Sequence, residues 1–338
     1  NTALGFCALR TNTTGADNTS VGCGSLLDNT TGACNTAVGT GALANNTTAS
    51  ENTSFGSASM LGNTTGASNT ALARNSLRCN TTGTQNTSVG LCSMMNGTTG
   101  SYNTALGACT LQAVNTGDNN VAVGRKALFD NTSGHSNTGI GNDGLTNVTS
   151  GFNNSSLGFS SGLDLTTGDN NLLLGHDAGR VNSPSGKLQT QDNQIVLGDN
   201  NITNLWCADT SISSSDQRDK TDVEDFNHGL DFVKKLKPKT YKWDKRTWYV
   251  SGDATSEDVL NTVPDGSKKK DRINIGFMAQ DVLALEQEIG FGNNKNDMLF
   301  TMLNADDTAY GLKYERLVPV LVNAIKELSA RVKELEDK

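Results

Sequence analysis

Proline, aromatic rings and charge are all scarce over the first 214 residues of this 338-residue chain. All four prolines (Pro184, Pro238, Pro264, Pro319) come late, and aromatic residues are rare before Trp206. Up to Ser214 there are 7 Lys and Arg against 12 Asp and Glu; from Ser215 onward there are 20 against 23. The jump in charge density marks a domain boundary near residues 200–215. The net charge of −8 argues against nucleic acid as a partner, because phosphate binding needs a basic face. No apolar run approaches the roughly 20 residues of a membrane span, and no signal-peptide pattern is present, so no membrane partner is expected. Cysteine is odd in number, at seven, with no Cys-x-x-Cys pair. A disulfide framework is not expected in a chain this long. Cys92 and Cys109 read instead as small side chains packed at equivalent positions. His135 and His176 lack metal-ligand spacing, and nothing calls for a metal or a cofactor.

What is abundant is one period. Gly5, Gly22, Gly39, Gly56, Ala73, Gly90, Gly107, Gly124, Gly141, Gly158 and Gly175 follow one another at 17-residue steps. Four residues before each stands an Asn, from Asn1 and Asn18 through to Asn171. The residue just before each is apolar: Leu4, Val21, Val38, Phe55, Leu72, Val89, Leu106, Val123, Ile140, Leu157, Leu174. An unbroken period of this length means that each unit is one rung stacked on the last. The unit reads Asn-Thr-(Ala/Ser)-apolar-Gly, then a small residue and Leu, then Thr-Thr-Gly, whose second Gly permits a turn. Asn18-Thr19-Ser20-Val21-Gly22 alternates like a short strand, with Thr19 and Val21 on one face. A second apolar position (Leu9, Leu26, Leu43, Met60, Leu77) suggests a second short strand. The first domain, residues 1–198, is therefore expected to be a β-solenoid or β-roll with two strands per turn.

Rungs about 4.8 Å apart would give a rod of roughly 50 Å. Identical Asn residues on every rung can form a side-chain amide ladder. Each rung buries only one or two sizeable apolar side chains, a thin core for one chain. Partner chains covering a face would remedy this, and a threefold bundle is the usual solution for fibres. After Gly175 the period breaks around Pro184 and Gly186. Asp192 to Gly198 then echoes the motif 23 residues on, as a terminal cap would. The Asn-x-Ser/Thr sequons at Asn12, Asn29, Asn63, Asn80, Asn96 and Asn131 fall out of the repeat itself and are weak signs of glycosylation. A glycan-cleaving solenoid needs paired carboxylates about 5–9 Å apart. Asp17 and Glu51 share a repeat position two rungs apart with Cys34 between them, so such a site could form only across chains. The chain opens at Asn1 in mid-repeat and is expected to be part of a longer protein.

Residues 199–214 read as a linker, and 215–338 as an α+β domain. Gly229 to Leu236 has helical period, Thr240 to Trp243 alternates like a strand, Ile273 to Phe277 is a second strand, and Ala279 to Glu288 is a helix. Residues 251–272, with Lys268-Lys269-Lys270, read as a polar solvated loop. Leu317 to Leu335 closes the chain as a helix with Pro319 in its first turn. Its apolar residues fall on a heptad: Val318, Ile325 and Val332 at one position, and Leu321, Leu328 and Leu335 at the other. That seam is a candidate for self-association, although this pairing of residue types favours two strands rather than three.

Four blocks in order carry a resemblance to a known family: Ser215-Asp216-Gln217-Arg218-Asp219-Lys220, then Leu236 to Trp243 (Leu-Lys-Pro-Lys-Thr-Tyr-Lys-Trp), then Ile275 to Val282 (Ile-Gly-Phe-Met-Ala-Gln-Asp-Val), then Tyr310 to Leu328. Together they resemble the intramolecular chaperone domain at the C-terminus of phage endosialidases, tail spikes and tail fibres. The rod before it is more loosely similar to the β-rolls of viral fibres and trimeric adhesin heads. The resemblance implies a domain that trimerises, helps the preceding β-fibre fold in register, and then cuts itself off between Ser214 and Ser215. It implies Ser215 as nucleophile and Lys220 as its base, with Asp216 and Arg218 holding the loop and Gln280 positioning it. A neutral Lys can serve as base if burial lowers its pKa, and assembly of the trimer could provide that burial. One departure bears on the speed of processing: Asn274 stands where many relatives carry His.

The leading expectation is thus a homotrimeric tail-fibre or spike segment of a virion, with possible contact to a host-surface receptor or glycan. Its chemistry would be serine autoproteolysis in cis, with no turnover of an external substrate. The alternatives are a non-cleaving adhesin that retains the domain as a trimeric tip, a glycan depolymerase, and a membrane-tethered regulator. The last is disfavoured by the missing span.

Overall fold

The computed structural model describes the whole chain apart from residues 203, 206–214 and 252. It divides into two compact units, Asn1–Asn201 and Ile202–Lys338. The first is a single parallel sheet of twelve three-residue strands in sequence order, from Thr2–Leu4 to Ile195–Leu197. Register follows the period: Thr19 faces Thr36, and Ala37 faces Ser54. The echo after the Pro184 insertion pairs in the same way, Leu172 with Ile195, and adds the twelfth strand.

There is one strand per turn, not two. Where the second strand was expected, the backbone turns through the left-handed region: φ is 45° at Leu26, 52° at Leu43, 47° at Met60 and 49° at Leu77. A left-handed L-residue costs roughly 1–2 kcal/mol. These four side chains are fully buried, which returns about 1.5–3 kcal/mol each. The two terms nearly cancel, so a rung on its own has little surplus apolar stabilisation.

Strand residues alternate as the pleat requires. The middle residue points inward and is buried, as Ser20, Ala37, Ser54 and Ala71 are. It is small because the roll is narrow, and its hydroxyl can be satisfied inside: Ser20 Oγ lies 2.6 Å from Ser25 Oγ and 2.9 Å from the Ser25 carbonyl, whereas the Ser156 hydroxyl is buried without a partner. The flanking Thr and apolar residues point out. The expected pairing of Thr19 and Val21 on one face is therefore present, and that face is the outer one.

Two asparagine columns hold the interior. In the first, each backbone N–H donates to the Oδ1 of the Asn one rung earlier (Asn103 to Asn86, 3.0 Å; Asn120 to Asn103, 2.9 Å). Each Nδ2 donates to a backbone carbonyl, glycine on most rungs, as Asn103 does to Gly117 at 2.8 Å, but Ala49 for Asn35 and Gln191 for Asn171. In the second, the amides bond directly: Asn29 to Asn12 and Asn46 to Asn29 at 2.8 Å, Asn63 to Asn46 at 2.9 Å, Asn80 to Asn63 at 2.7 Å. Four of the sequon asparagines (Asn29, Asn63, Asn80, Asn131) are consequently buried, and the folded roll offers none of these four as a glycan acceptor. Glycine closes every strand but Thr70–Leu72, which Ala73 follows, for two reasons. Gly90 has φ +138°, and a Cβ there would lie 2.3 Å from the Gly107 carbonyl oxygen of the next rung.

In the second unit, helices α1 (Leu230–Lys235), α2 (Ser256–Asn261), α3 (Ala279–Glu288) and α4 (Leu317–Glu336) accompany two antiparallel strand pairs. Lys239–Tyr241 pairs with Asn274–Gly276, and Thr301–Leu303 with Tyr310–Leu312. The helices and the first strand pair lie where the sequence places them, save α2. That helix sits in the stretch read as a polar loop, started by a capping box: Thr255 Oγ1 accepts from the Asp258 N–H and the Thr255 N–H donates to the Asp258 carboxylate. The core joins Phe232, Val282, Phe300, Leu317 and Val320. Glu286 is fully buried beside it, its carboxylate accepting from the backbone N–H groups of Leu299, Phe300 and Thr301 and from the Thr301 hydroxyl.

Candidate active site

The Ser215 loop is shaped by one turn of 3₁₀ helix, Gln217–Asp219. Asp216 caps it, accepting from the Arg218 N–H at 2.9 Å. The same carboxylate takes the Arg218 guanidinium in a fork, with Nη2 at 2.6 Å and Nε at 3.1 Å from Oδ2. Arg218 holds the Asp216 carboxyl below the usual carboxylate range, and Asp216 raises the guanidinium in return. The Lys220 N–H then bonds the Gln217 carbonyl at 3.2 Å, closing the turn. The outcome is that Lys220 Nζ donates to Ser215 Oγ at 2.7 Å.

Four of the five predicted site residues are thus together, and the loop-holding pair is the salt-bridged one. Gln280 is exposed at the second position of α3, and among the described residues no hydrogen bond joins it to Ser215 or Lys220. Asn274 lies on the strand Asn274–Gly276 and donates to the Arg272 carbonyl at 3.2 Å. The other half of the predicted scissile bond, Ser214, lies outside the described residues.

Chemically, the pair has the reach of a nucleophile and base, since a hydroxyl and an amine at hydrogen-bond distance can pass a proton. Both side chains are exposed in the single chain. The amine donates in this arrangement, whereas a general base must accept.

One residue inside the quoted blocks had no assigned role and proves central. Tyr314 Oη accepts from the Phe277 N–H at 3.1 Å, and its ring stacks on Phe277 with centroids 6.0 Å apart. A Cβ on Gly276 would lie 2.4 Å from that hydroxyl oxygen, so a side chain there would have to push the Tyr314 ring aside. The third block is therefore pinned to the fourth. Burial and Tyr314 together raise the neighbouring Tyr241 phenol.

Helix α4 presents two faces. Leu317, Val320 and Ala324 are buried, and Glu327 and Asn323 fasten it to the start of α1 by accepting from the Leu230 N–H and donating to the Phe226 carbonyl. Val318, Leu321, Ile325, Leu328, Val332 and Leu335 are all exposed. A heptad seam thus lies exposed along a 20-residue helix.

Residues 215–290 match the family model described as the chaperone of endosialidase. The segment is thus similar to a chaperone of that type, and a β-solenoid of 17-residue repeats precedes it. It spans the Ser215 loop and the block pinned by Tyr314, and ends before α4. No curated protein and no solved structure matches the chain. Among the described residues no helix is long and apolar enough to cross a membrane, and no His, Cys, Asp and Glu cluster could hold a metal ion.

Proposed function

We propose that this chain is a segment of a homotrimeric phage tail fibre or spike whose second unit, 215–338, gathers three chains and then cuts itself away between Ser214 and Ser215. The observation that carries the reading is the 2.7 Å contact of Lys220 with Ser215 inside a segment matching the chaperone family. The open seam of α4 supports the association. In the proposed step a neutral Lys220 takes the Ser215 hydroxyl proton, and Oγ bonds to the carbonyl carbon of Ser214. The C–N bond to Ser215 breaks, and the departing amine takes the proton back from Lys220. Water then hydrolyses the ester, leaving a carboxylate on Ser214 and the hydroxyl restored on Ser215. Packing of three chains around the exposed loop would desolvate Lys220 and make the cut follow assembly. The freed rod would serve as structure and as the bearer of a host-binding surface.

A second reading, a non-cleaving adhesin with a retained tip, draws on Asn274 and on the exposure of Lys220. The test is intact mass. Freshly expressed wild type should give two fragments parted after Ser214, and Ser215→Ala one uncut chain. An uncut wild type that sediments as a trimer would reject the cleavage and favour the retained tip.

A further inference from the structure

The outer face of the solenoid sheet has a composition that solvent does not explain. Its column just before the strand-closing glycine is apolar on all twelve strands, and none of its members is buried. Leu4 is 68% exposed, Phe55 53%, Leu106 48% and Leu157 54%. None of the strand residues is charged, on either face. The charged side chains of this unit, such as Asp28, Glu51, Arg78, Asp118 and Asp130, all sit in the turns. Parallel sheets are as a rule covered on both faces, and a sheet edge or face meant for water normally carries charge.

We infer that this strand face is where further copies of the same chain pack along the rod, side by side and rung against rung. The occupant is argued from three features. First, size: twelve rungs at about 4.8 Å and strands of three residues at about 3.3 Å give a strip of roughly 55 by 10 Å, on the order of 500 Å² before side chains are counted. That is commensurate with the roughly 800 Å² that one partner contributes to a stable protein interface. Second, period: only a surface with the same 17-residue repeat offers an apolar row at every rung height, and a second copy has it by construction. Third, gradation: the first outward position is Thr or Ser on nine rungs and Val121 on the eighth, but the larger Leu172 and Ile195 on the last two, beside Leu174 and Leu197. The face is therefore most apolar in the rungs that directly precede the chaperone segment. Association begun there would proceed toward Asn1.

The inference rests on the fibre reading for the parallel alignment of the chains, and the experiment separates the two. Benzoylphenylalanine replaces Phe55 or Leu106 in the purified full-length chain, with Asp130 as a turn control, and the sample is irradiated. Chain-to-chain products should form from positions 55 and 106 and map to strand residues of the second copy; position 130 should give none. In parallel, V89E combined with L106E should raise amide exchange across Thr87–Leu106 at least tenfold, while Ser215 processing is scored independently. Processing with α4-dependent association but no product from position 55 would overturn this inference and leave the chaperone reading intact. Products from position 55 without processing would do the reverse. Products from position 130 alone, or a chain that stays single throughout, would overturn the inference.

Discussion

Each rung of the solenoid bonds only to the rungs before and after it, and every rung offers the same Asn, Gly and apolar positions. The chaperone unit instead assembles its core from Phe232, Val282, Phe300, Leu317 and Val320, none of which has an equivalent elsewhere in the chain. A slip between neighbouring rods by one repeat would keep nearly every contact, so the repeat cannot specify its own alignment. A unit with a single solution can. The difference teaches that the information for register and the material of the rod lie in separate parts of the sequence. On the proposed reading, removal of the first after assembly would leave a correctly formed rod kinetically trapped, because the unit that aligned it is gone.

That contrast can be broken most sharply at Glu286. E286A removes four hydrogen bonds from a fully buried carboxylate and leaves buried N–H groups unpaired, and should cost about 3–5 kcal/mol. Denaturant titration should show the second unit unfolding early with the solenoid transition unmoved. The matching lesion in the rod, N103A, strands the Gly117 carbonyl and the Asn120 N–H, and should cost about 1–3 kcal/mol. Its effect should stay local, visible as faster exchange of the Asn120 amide and little change two rungs away. An exchange profile that rose along the whole rod would show that the rungs are not independent neighbours.

A smaller effect of opposite sign is expected at Ala73. It holds the glycine position with φ 118°, and A73G should relieve strain worth about 1–3 kcal/mol against a glycine entropy cost of about 0.5–1. A modest rise in the rod's melting temperature would confirm it, and a fall would reject the strain argument. The smallest effect belongs to the Ser215 loop. The Asp216 carboxyl is depressed by Arg218, so its contribution is present above the ordinary Asp pKa of about 3.9 and is lost as pH falls through its own lower value. The Arg218 Nε–H resonance should therefore hold its shift down to mildly acid pH and move only below that ordinary value.

The sequence made some of this plain and hid the rest for physical reasons. A repeat of fixed length is visible because register between rungs is a matter of counting, and the pairing of Thr19 with Thr36 follows directly. The second apolar position misled because Leu26 and Met60 are buried from a left-handed backbone, a conformation that spacing does not reveal. Helix α2 was legible in Thr255-Ser256-Glu257-Asp258, but its polar surroundings masked the cap. Of the site, Ser215 and Lys220 were named from resemblance; what five residues of spacing did not show is that Asp216 and Arg218 fold the intervening turn back on itself. Tyr314 was invisible because its partners, Gly276 and Phe277, lie far away in sequence.

The second asparagine column ends after Asn80. Asn131 stands alone between Val114 and Val148, with its Oδ1 buried and unbonded. Because the rungs are joined in series, a pull along the axis loads every junction with the same force. The rod's tensile limit is then the strength of its weakest junction and not the sum of all of them. The junctions beyond Asn80, which all lack this amide bond, are where such a rod would part before those between Asn12 and Asn80, and V148N, which restores a donor to the Asn131 oxygen, should strengthen one of them.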